Sequence, residues 1–173
     1  MTGINIELAG SEHLSAIPTI ELAAAAMFSE ADLPVEIRYL VTEEDLLHRA
    51  QRDARLWVAL TEERIPVGFA MAEIVDGSAH LDEMDVMPDY GRRGIGTKLI
   101  NTLINWARSA DYPLLTLITF RHLPWNAPFY EQLGFVSMDS SEVGEELADL
   151  LAEESNAGID ISKRICMKLD LAQ

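Results

Sequence analysis

The pattern of apolar and polar positions in the first third of the chain predicts strands and helices in alternation. Residues 4–8 alternate between apolar and polar side chains, which predicts a short first strand. A helix is expected from Ser11 to Phe28, with Ser11 as its N-cap. Its predicted inward residues are Leu14, Ile17, Leu22 and Ala25. Residues 29–39 contain a proline and are expected to form a loop, and Thr42 is predicted to begin the cap of a second helix.

Apolar runs in the rest of the chain predict buried strands. Leu56–Leu60 is continuously apolar, and a polar turn of hairpin length follows it. The other predicted strands are residues 67–75, 79–86, 114–120, 134–138 and 164–169. Apolar positions recur at helical spacing in Lys98–Ala110, and further helices are expected at Pro124–Leu133 and within residues 143–151. An early antiparallel meander followed by strand–helix units is typical of a mixed α+β fold.

Length and composition indicate one ordinary globular domain. The chain has 173 residues, of which 49% are apolar and 7% aromatic, so residues 1–173 are expected to form a single domain with a packed core. Cys166 is the only cysteine, which excludes an intrachain disulfide and favours a reducing cytoplasmic location. The apolar stretch Leu22–Phe28 is shorter than a bilayer-spanning helix, so no membrane insertion is expected.

Charge narrows the classes of partner. The net charge is −16, which would repel nucleic acid and anionic membranes, and no basic cluster is visible beyond Arg92 and Arg93. The acidity favours, weakly, a cationic partner. The 4 histidines are scattered and no acidic cluster has metal-ligand spacing, so no metal site is predicted.

The segment Met84–Thr97 predicts an anion-binding site. A strand ends at Val86, two arginines and several glycines follow, and a helix then begins without an acidic residue in its first turn. The first amide groups of a helix have no partner within it and carry partial positive charge, so phosphates bind there. Gly94 and Gly96 would let a ligand approach the backbone closely. The spacing fits neither a P-loop, which needs Lys-Ser or Lys-Thr in register, nor a dinucleotide fingerprint, which needs a third glycine.

Two ordered motifs resemble the GNAT superfamily of acetyl-CoA-dependent N-acetyltransferases. The family pattern Gln/Arg-x-x-Gly-x-Gly/Ala after a strand that ends Val-x-Pro is matched by Val86-Met87-Pro88 and Arg92-Arg93-Gly94-Ile95-Gly96. A second family element is matched by Trp125–Phe135. The resemblance covers about residues 56–138. Gly91 stands where the family usually has Gln or Arg, which affects a side-chain contact but not the amide cradle.

The resemblance implies a fold and a cofactor site. The expected fold has a central, mostly antiparallel sheet of six or seven strands, flanked by helices, in which the fourth and fifth strands splay apart to form a slot for acetyl-CoA. The pyrophosphate would lie against Gly91, Arg92, Arg93, Gly94, Ile95, Gly96 and Thr97. The pantetheine arm would contact Met84, Asp85 and Val86, mainly through backbone pairing. Asn126 and Phe129 are also assigned to coenzyme A, although Asn126 could instead cap the short helix and Phe129 could pack in the core.

The resemblance also implies catalytic residues. Tyr130 occupies the position where GNAT enzymes commonly keep a general acid that protonates the departing thiolate; the alternative is a core tyrosine. A base must deprotonate the amine, and the strand before the loop offers His80, Asp82 and Glu83. Strand alternation puts His80 and Asp82 on one face and Glu83 on the other, unless a bulge re-aims it. The resemblance implies that the positions of His80 and Asp82 face the acceptor, so His80 or Asp82 is favoured and Glu83 is the third candidate.

The predicted function is therefore transfer of an acetyl group from acetyl-CoA to a primary amine by direct attack in a ternary complex. One alternative is a sensor that binds acyl-CoA without catalysis, and another is acetylation of a protein N-terminus or lysine. Trp125 could line the acceptor entrance. The central helix has more apolar residues than one face requires, which leaves a homodimer open.

Overall fold

The computed structural model describes residues 3–172, so residues 1, 2 and 173 of the predicted domain lie outside the described residues. The strands are β1 (Asn5–Leu8), β2 (Leu56–Leu60), β3 (Pro66–Val75), β4 (Ser78–Val86), β5 (Leu114–Phe120), β6 (Val136–Ser137) and β7 (Arg164–Asp170). The α-helices are α1 (Ile17–Ala25), α2 (Val35–Arg38), α3 (Glu44–Arg52), α4 (Ile95–Ser109), α5 (Ala127–Gln132) and α6 (Glu145–Asn156).

The strands form one mixed sheet, in the order β1-β2-β3-β4-β5-β7-β6. Neighbours β1 and β2, β2 and β3, β5 and β7, and β6 and β7 are antiparallel, whereas β4 and β5 are parallel. In the parallel pair, Ala79–Leu81 are matched with Leu115–Leu117, while β4 continues to Val86 and β5 to Phe120. The predicted mixed α+β class, with a mostly antiparallel sheet of six or seven strands, is confirmed, and the sheet has seven strands.

The chain divides into two compact units, of which unit 1 contains residues up to Glu73 and Asp82–Leu103. Its strand β2 is buried along its whole length, as the continuous apolar run predicted. The core of this unit comes from β2, β3, α1, α3 and the chain before α1, with members Ala9, Leu14, Ile17, Ile20, Leu47, Ala50, Leu56, Val58, Leu60, Phe69 and Met71. Removal of this apolar surface from water is the main force that holds these elements together.

Unit 2 contains Ile74–Leu81 and the residues from Ile104 onward. A smaller core there joins Val75, Leu147 and Cys166, with the inward side chains of α6 packed against it. Asp76, in the turn that ends β3, caps α6 because its carboxylate accepts hydrogen bonds from the backbone of Glu146 at 3.0 Å and Leu147 at 3.1 Å. This cap fixes the start of the acidic helix.

The predicted single helix from Ser11 to Phe28 is wrong in its first part. Residues Ser11–Ala16 form a 3₁₀ helix with Gly10 as its N-cap, and α1 begins only at Ile17. Pro18 explains the break, because proline has no N–H to donate and clashes with the preceding turn of an α-helix. Burial also differs from the prediction, since Leu22 is 41% exposed and Ala25 is half-buried. The buried positions of α1 are instead Ile17, Ile20, Glu21 and Ala24.

Other helix boundaries also differ from the expectations. The predicted loop 29–39 contains the short helix α2, and the N-cap of α3 is Glu43 instead of Thr42. The central helix α4 begins at Ile95, three residues before the predicted start at Lys98. Ile95 is 2% exposed and lies one turn before the fully buried Leu99, so both side chains are on the same face of α4. The burial of Ile95 offsets the poor helix propensity of Gly96.

Candidate active site

The start of α4, in unit 1, has the geometry of an anion site. The N–H of Lys98 donates to the carbonyl of Gly94 at 3.0 Å, which closes the first helical turn. The amides of Ile95, Gly96 and Thr97 precede that bond, so they belong to the group of N–H donors that a helix leaves without an internal acceptor. The first turn holds no acidic side chain that would compete with an anion.

The loop that leads to α4 gives its two arginines different surroundings. Arg93 donates from Nη2 to the carbonyl of Asp89 at 2.8 Å, and its guanidinium lies 5.1 Å from the centre of the Tyr90 ring. Arg92 is exposed and has a φ of 58°, a strained value for a residue with a Cβ. Arg93 is therefore partly engaged in holding the loop, whereas Arg92 presents its charge to solvent.

Two glycines of the loop are required by different constraints. Gly94 has a φ of 76°, a conformation that other residues adopt only with strain, and its missing Cβ would meet no atom within 4 Å, so this side of the backbone is open. At Gly91 a Cβ would lie 3.1 Å from the carbonyl oxygen of Pro88. That close approach explains why glycine stands where the family pattern has Gln or Arg.

Strand β4 carries three of the candidate acidic residues within unit 1. Asp82 is exposed, yet the protein around it reduces the hydration of its carboxylate, and the charge of Glu73 repels it; together these raise the pKa of Asp82 to about 6. Burial and the charge of Glu21 raise the pKa of Asp85 to about 7, while a hydrogen bond with Glu83 acts in the opposite direction. Two of the candidates, Glu83 and Asp85, thus pair with each other and are half-buried.

Glu21 links this part of β4 to the segment before α3. Glu21 is buried, with 7% of its surface exposed. Its carboxylate accepts hydrogen bonds from Thr42, from the backbone N–H at 3.1 Å and from the side-chain Oγ1 at 2.5 Å. These bonds satisfy a charge that would be costly to bury alone. Thr42 is therefore a donor to Glu21, and the predicted capping role for Thr42 is wrong.

His80 lies in unit 2 and is almost completely buried, with 3% of its surface exposed. Its Nδ1 is 2.9 Å from Oγ1 of Thr116, which lies beside it in the parallel β4–β5 pair. Burial disfavours the charged imidazolium and lowers the pKa of His80 to about 4, although Asp76 acts slightly in the other direction. His80 is consequently neutral near neutral pH.

The second motif forms α5 and its flanks, also in unit 2. Tyr130 is 7% exposed, and its ring makes edge contacts with Phe129 at 5.1 Å and Phe135 at 5.6 Å between centroids. Asn126 precedes α5 but makes no side-chain cap, and its Oδ1 is buried without a hydrogen-bond partner in residues 3–172. Trp125 is 42% exposed. A buried amide oxygen without a donor is rare and indicates a place for an outside N–H group.

Two other kinds of feature are absent from the part of the chain that the structure describes. No group of three or more His, Cys, Asp or Glu side chains in residues 3–172 is arranged to hold a metal ion. Within the same range no helix combines the length and apolarity that a membrane span requires.

Sequence reasoning missed two acidic residues that influence candidate site residues on β4. Glu73 and Glu21 act on Asp82 and Asp85 from neighbouring elements, and neither was singled out. A signal was present, since each is the only charged residue in a mostly apolar stretch, at residues 67–75 and 17–28. A charged residue in a buried run needs a partner, and in this chain it marks a polar network.

Comparison with known proteins identifies the class. Residues 21–135 match the family described as Acetyltransferase (GNAT) family. The peptidyl-lysine N-acetyltransferase YjaB of Salmonella typhimurium is 30% identical over 107 residues, which are 62% of this chain and 68% of that protein. The S-(2-succino)cysteine N-acetyltransferase of Bacillus subtilis is 27% identical over 130 residues, which are 74% of this chain and 76% of that protein.

A solved structure shows the same fold. The PaiA N-acetyltransferase of Thermoplasma acidophilum, solved in complex with coenzyme A, superposes with a TM-score of 0.69 at 19% identity, covering 97% of this chain and 99% of that one. Fold and matches together define an acetyltransferase, an enzyme of the acyltransferase class. The chain belongs to the GNAT acetyltransferase family, as the sequence motifs predicted.

Each of the two units contains groups that suit a part of coenzyme A. In unit 1 the amides at the start of α4, the open side of Gly94 and the charge of Arg92 suit a pyrophosphate. In unit 2 the buried Oδ1 of Asn126 is an acceptor that suits an amide N–H, and pantetheine contains such groups.

Proposed function

We propose that this protein transfers an acetyl group from acetyl-CoA to a primary amine, by direct attack while both substrates are bound. The observation that carries the proposal is Asp82, an accessible carboxyl whose pKa is raised to about 6 on the strand that runs into the glycine loop. A base with this proton affinity is suited to an amine reaction near neutral pH. The family match to residues 21–135 includes parts of both units and supports one acetyltransferase domain over residues 1–173.

The loop residues hold acetyl-CoA in this proposal. The amides of Ile95, Gly96 and Thr97 and the side chain of Arg92 bind the pyrophosphate, while Arg93 keeps the loop in shape. Backbone groups of Met84 and Val86 pair with the pantetheine arm, and an N–H of this strand lies near the thioester carbonyl to stabilise the oxyanion. Acetyl-CoA supplies the thioester carbon that the amine attacks.

Asp82 is the proposed base. An alkyl ammonium has a pKa near 10.4, so almost all of the acceptor is protonated at neutral pH and must lose a proton before it attacks. The carboxylate of Asp82 accepts that proton and passes it to solvent, to which it is exposed. His80 is less suitable because its pKa is lowered to about 4, and Glu83 is engaged with Asp85.

Tyr130 is the proposed acid. When the tetrahedral intermediate collapses, the C–S bond breaks and the thiolate needs a proton, which the phenol donates; the proton lost by the nitrogen restores the phenol. A phenol with a pKa near 10 can protonate a thiolate whose conjugate acid has a pKa near 8.5 within a closed hydrogen bond. Burial between Phe129 and Phe135 supports this role because it excludes competing water.

Direct attack is favoured over an acyl-cysteine intermediate. Cys166 is buried, and burial together with the charge of Glu154 raises the pKa of its thiol, so little reactive thiolate forms. We expect Cys166→Ala to retain activity and the initial-rate patterns for the two substrates to intersect. Parallel patterns would indicate a covalent intermediate and contradict the ternary complex.

The acceptor is proposed to be a cationic amine, because the net charge of −16 attracts cations. A lysine side chain within a peptide is the second candidate. It is favoured by the name of the Salmonella typhimurium relative and by the exposed apolar residues Tyr39 and Leu40, at 72% and 67%, which a peptide could cover.

The test is release of free coenzyme A thiol from acetyl-CoA with a panel of amines, amino acids, polyamines and lysine peptides. We expect amine-dependent release that falls by about 100-fold in Tyr130→Phe, with acetyl-CoA affinity by calorimetry unchanged. Binding of acetyl-CoA without release for any amine would support a sensor instead. Failure to bind acetyl-CoA would contradict the assignment of the loop.

A further inference from the structure

Glu73 is an acidic residue on β3, the strand beside β4 in the sheet, and it belongs with Asp82 to unit 1. After burial, its charge is the second cause of the raised pKa of Asp82. The two carboxyls thus interact, and the position of Glu73 matters for the proton affinity of Asp82. The structure shows how that position is fixed.

Arg55 anchors Glu73. Its Nη1 lies 3.1 Å from Oε2 of Glu73, and its Nη2 lies 2.5 Å from Oδ2 of Asp53. The carbonyl of Arg55 also accepts a hydrogen bond of 2.9 Å from the backbone of Ala72, the residue before Glu73. The side chains of Arg55 and Glu73 are only 17% and 24% exposed, so water weakens this ion pair less than one at the surface.

The second carboxylate oxygen of Glu73 has no such anchor. Oε1 is buried and has no hydrogen-bond partner among residues 3–172. A buried acceptor without a donor is unfavourable, so its presence calls for a donor that other states of the protein supply. An O–H group meets that requirement, and a carboxyl group such as that of Asp82 carries one only after it has accepted a proton.

We propose that Glu73, held in place by Arg55, is a positioning residue that makes Asp82 an effective proton acceptor for the amine substrate. The inference rests on the proposed function, in which Asp82 is the base. An N–H bond of the ammonium breaks and an O–H bond forms on Asp82, which leaves a neutral amine with its lone pair. The charge of Glu73 favours that protonated carboxyl, and Oε1 accepts its new O–H until the proton leaves to solvent.

Other charged groups near Asp82 do not replace Glu73 in this role. Arg55 pairs with both Glu73 and Asp53, and neither Arg55 nor Asp53 is among the causes of the raised pKa of Asp82. Glu83 is the next residue on β4, but strand alternation points it to the other face, where it bonds Asp85. His80, two residues earlier on β4, is neutral above about pH 5 because its pKa is lowered to about 4, so it adds no charge in the range of an assay.

The experiment is a carboxyl ¹³C NMR titration of Asp82, identified with Asp82→Asn, alongside the pH profile of kcat/KM. Glu73→Gln keeps the shape but removes the charge, so the pKa of Asp82 should fall by about one unit. Arg55→Gln leaves the Glu73 charge uncompensated and should raise the pKa of Asp82, while Arg55→Lys should restore it toward the wild-type value. Arg64→Gln is the matched control, since it removes an exposed arginine paired with Glu7 and should change nothing.

The two readouts separate this inference from the proposed function. If the Asp82 signal titrates at the same pH in wild type and Glu73→Gln, the role of Glu73 is overturned whatever the activity. If the pKa of Asp82 falls in Glu73→Gln and rises in Arg55→Gln, the role of Glu73 is supported. If the pKa read from the acidic limb of the kcat/KM profile stays the same in these variants while the pKa of Asp82 moves, the assignment of Asp82 as the base is contradicted. A purely structural role for Glu73 would lower stability in all variants without moving the titration.

Discussion

His80 and Asp82 lie two residues apart on β4, and the protein shifts their proton affinities in opposite directions. His80 is 3% exposed and bonded to Thr116, and its pKa is lowered to about 4. Asp82 is exposed, and its pKa is raised to about 6. In both cases the environment favours the neutral form, which for histidine is the base and for aspartate is the acid.

The difference supports the proposal that Asp82, and not His80, serves as the base. A proton acceptor must hold the proton long enough to compete with the amine and must reach the substrate. The pKa of Asp82 is closer to neutral pH than that of His80, and Asp82 is exposed to solvent. His80 binds a proton only weakly and is buried. Sequence alone could not separate them, because alternation puts both on one face of the strand.

The largest expected effect comes from exchanging the two residues for asparagine. Asp82→Asn removes the proposed base and should lower kcat/KM near pH 7 by about 100-fold or more, because general-base catalysis contributes on that scale. His80→Asn should stay within about tenfold of wild type. Steady-state rates of coenzyme A release measure both.

Circular dichroism would show whether each variant is folded, and Glu83→Gln tests the remaining candidate base. A loss in His80→Asn as large as that in Asp82→Asn would reverse the comparison. An equal loss in Glu83→Gln would move the base to the Glu83–Asp85 pair.

The next effect concerns stability and belongs to His80. Its folded pKa of about 4 lies below the unfolded value of 6.5, so the unfolded chain binds more protons between these values. The stabilising contribution is complete above pH 6.5 and is lost as pH falls toward 4. Between about pH 8 and pH 4 the free energy of unfolding of wild type should therefore fall by about 3 kcal/mol more than that of His80→Asn.

Urea unfolding at the two pH values measures this difference. Asp82 and Asp85, whose pKa values are raised, change stability in the opposite direction, but they do so equally in both proteins and cancel in the comparison. Identical pH dependence in wild type and variant would mean that His80 titrates as it does in the unfolded chain.

The sequence predicted best what short stretches determine by themselves. The bounds of β2 and β5 were predicted correctly, because Leu56–Leu60 is a continuous apolar run and Leu114–Phe120 is apolar apart from two threonines, which are residues that favour strands. The GNAT family was recognisable because its glycine-loop motif lies within one short stretch of the chain. The start of α1 was missed because Pro18 interrupts a helical pattern that is otherwise continuous.

What the sequence could not predict depends on residues far apart in the chain. The Arg55–Glu73 pair spans 18 positions, and the contact of Glu21 with Thr42 spans 21. Each becomes visible only when strand order and helix placement are known. The proton affinity of Asp82 depends on Glu73 in the same way, so a list of candidate bases was the most that local pattern could provide.

The smallest expected effect concerns Thr116, the hydrogen-bond partner of His80. Thr116→Val keeps the shape of a side chain that is 4% exposed but removes the Oγ1 that lies 2.9 Å from Nδ1 of His80. A buried ring nitrogen without a partner should lower the free energy of unfolding by about 1 to 2 kcal/mol. Thr119→Val is the matched control, since Thr119 is equally buried on β5, three residues further on. Equal losses in the two variants would show that the hydrogen bond to His80 adds nothing beyond the burial of a hydroxyl.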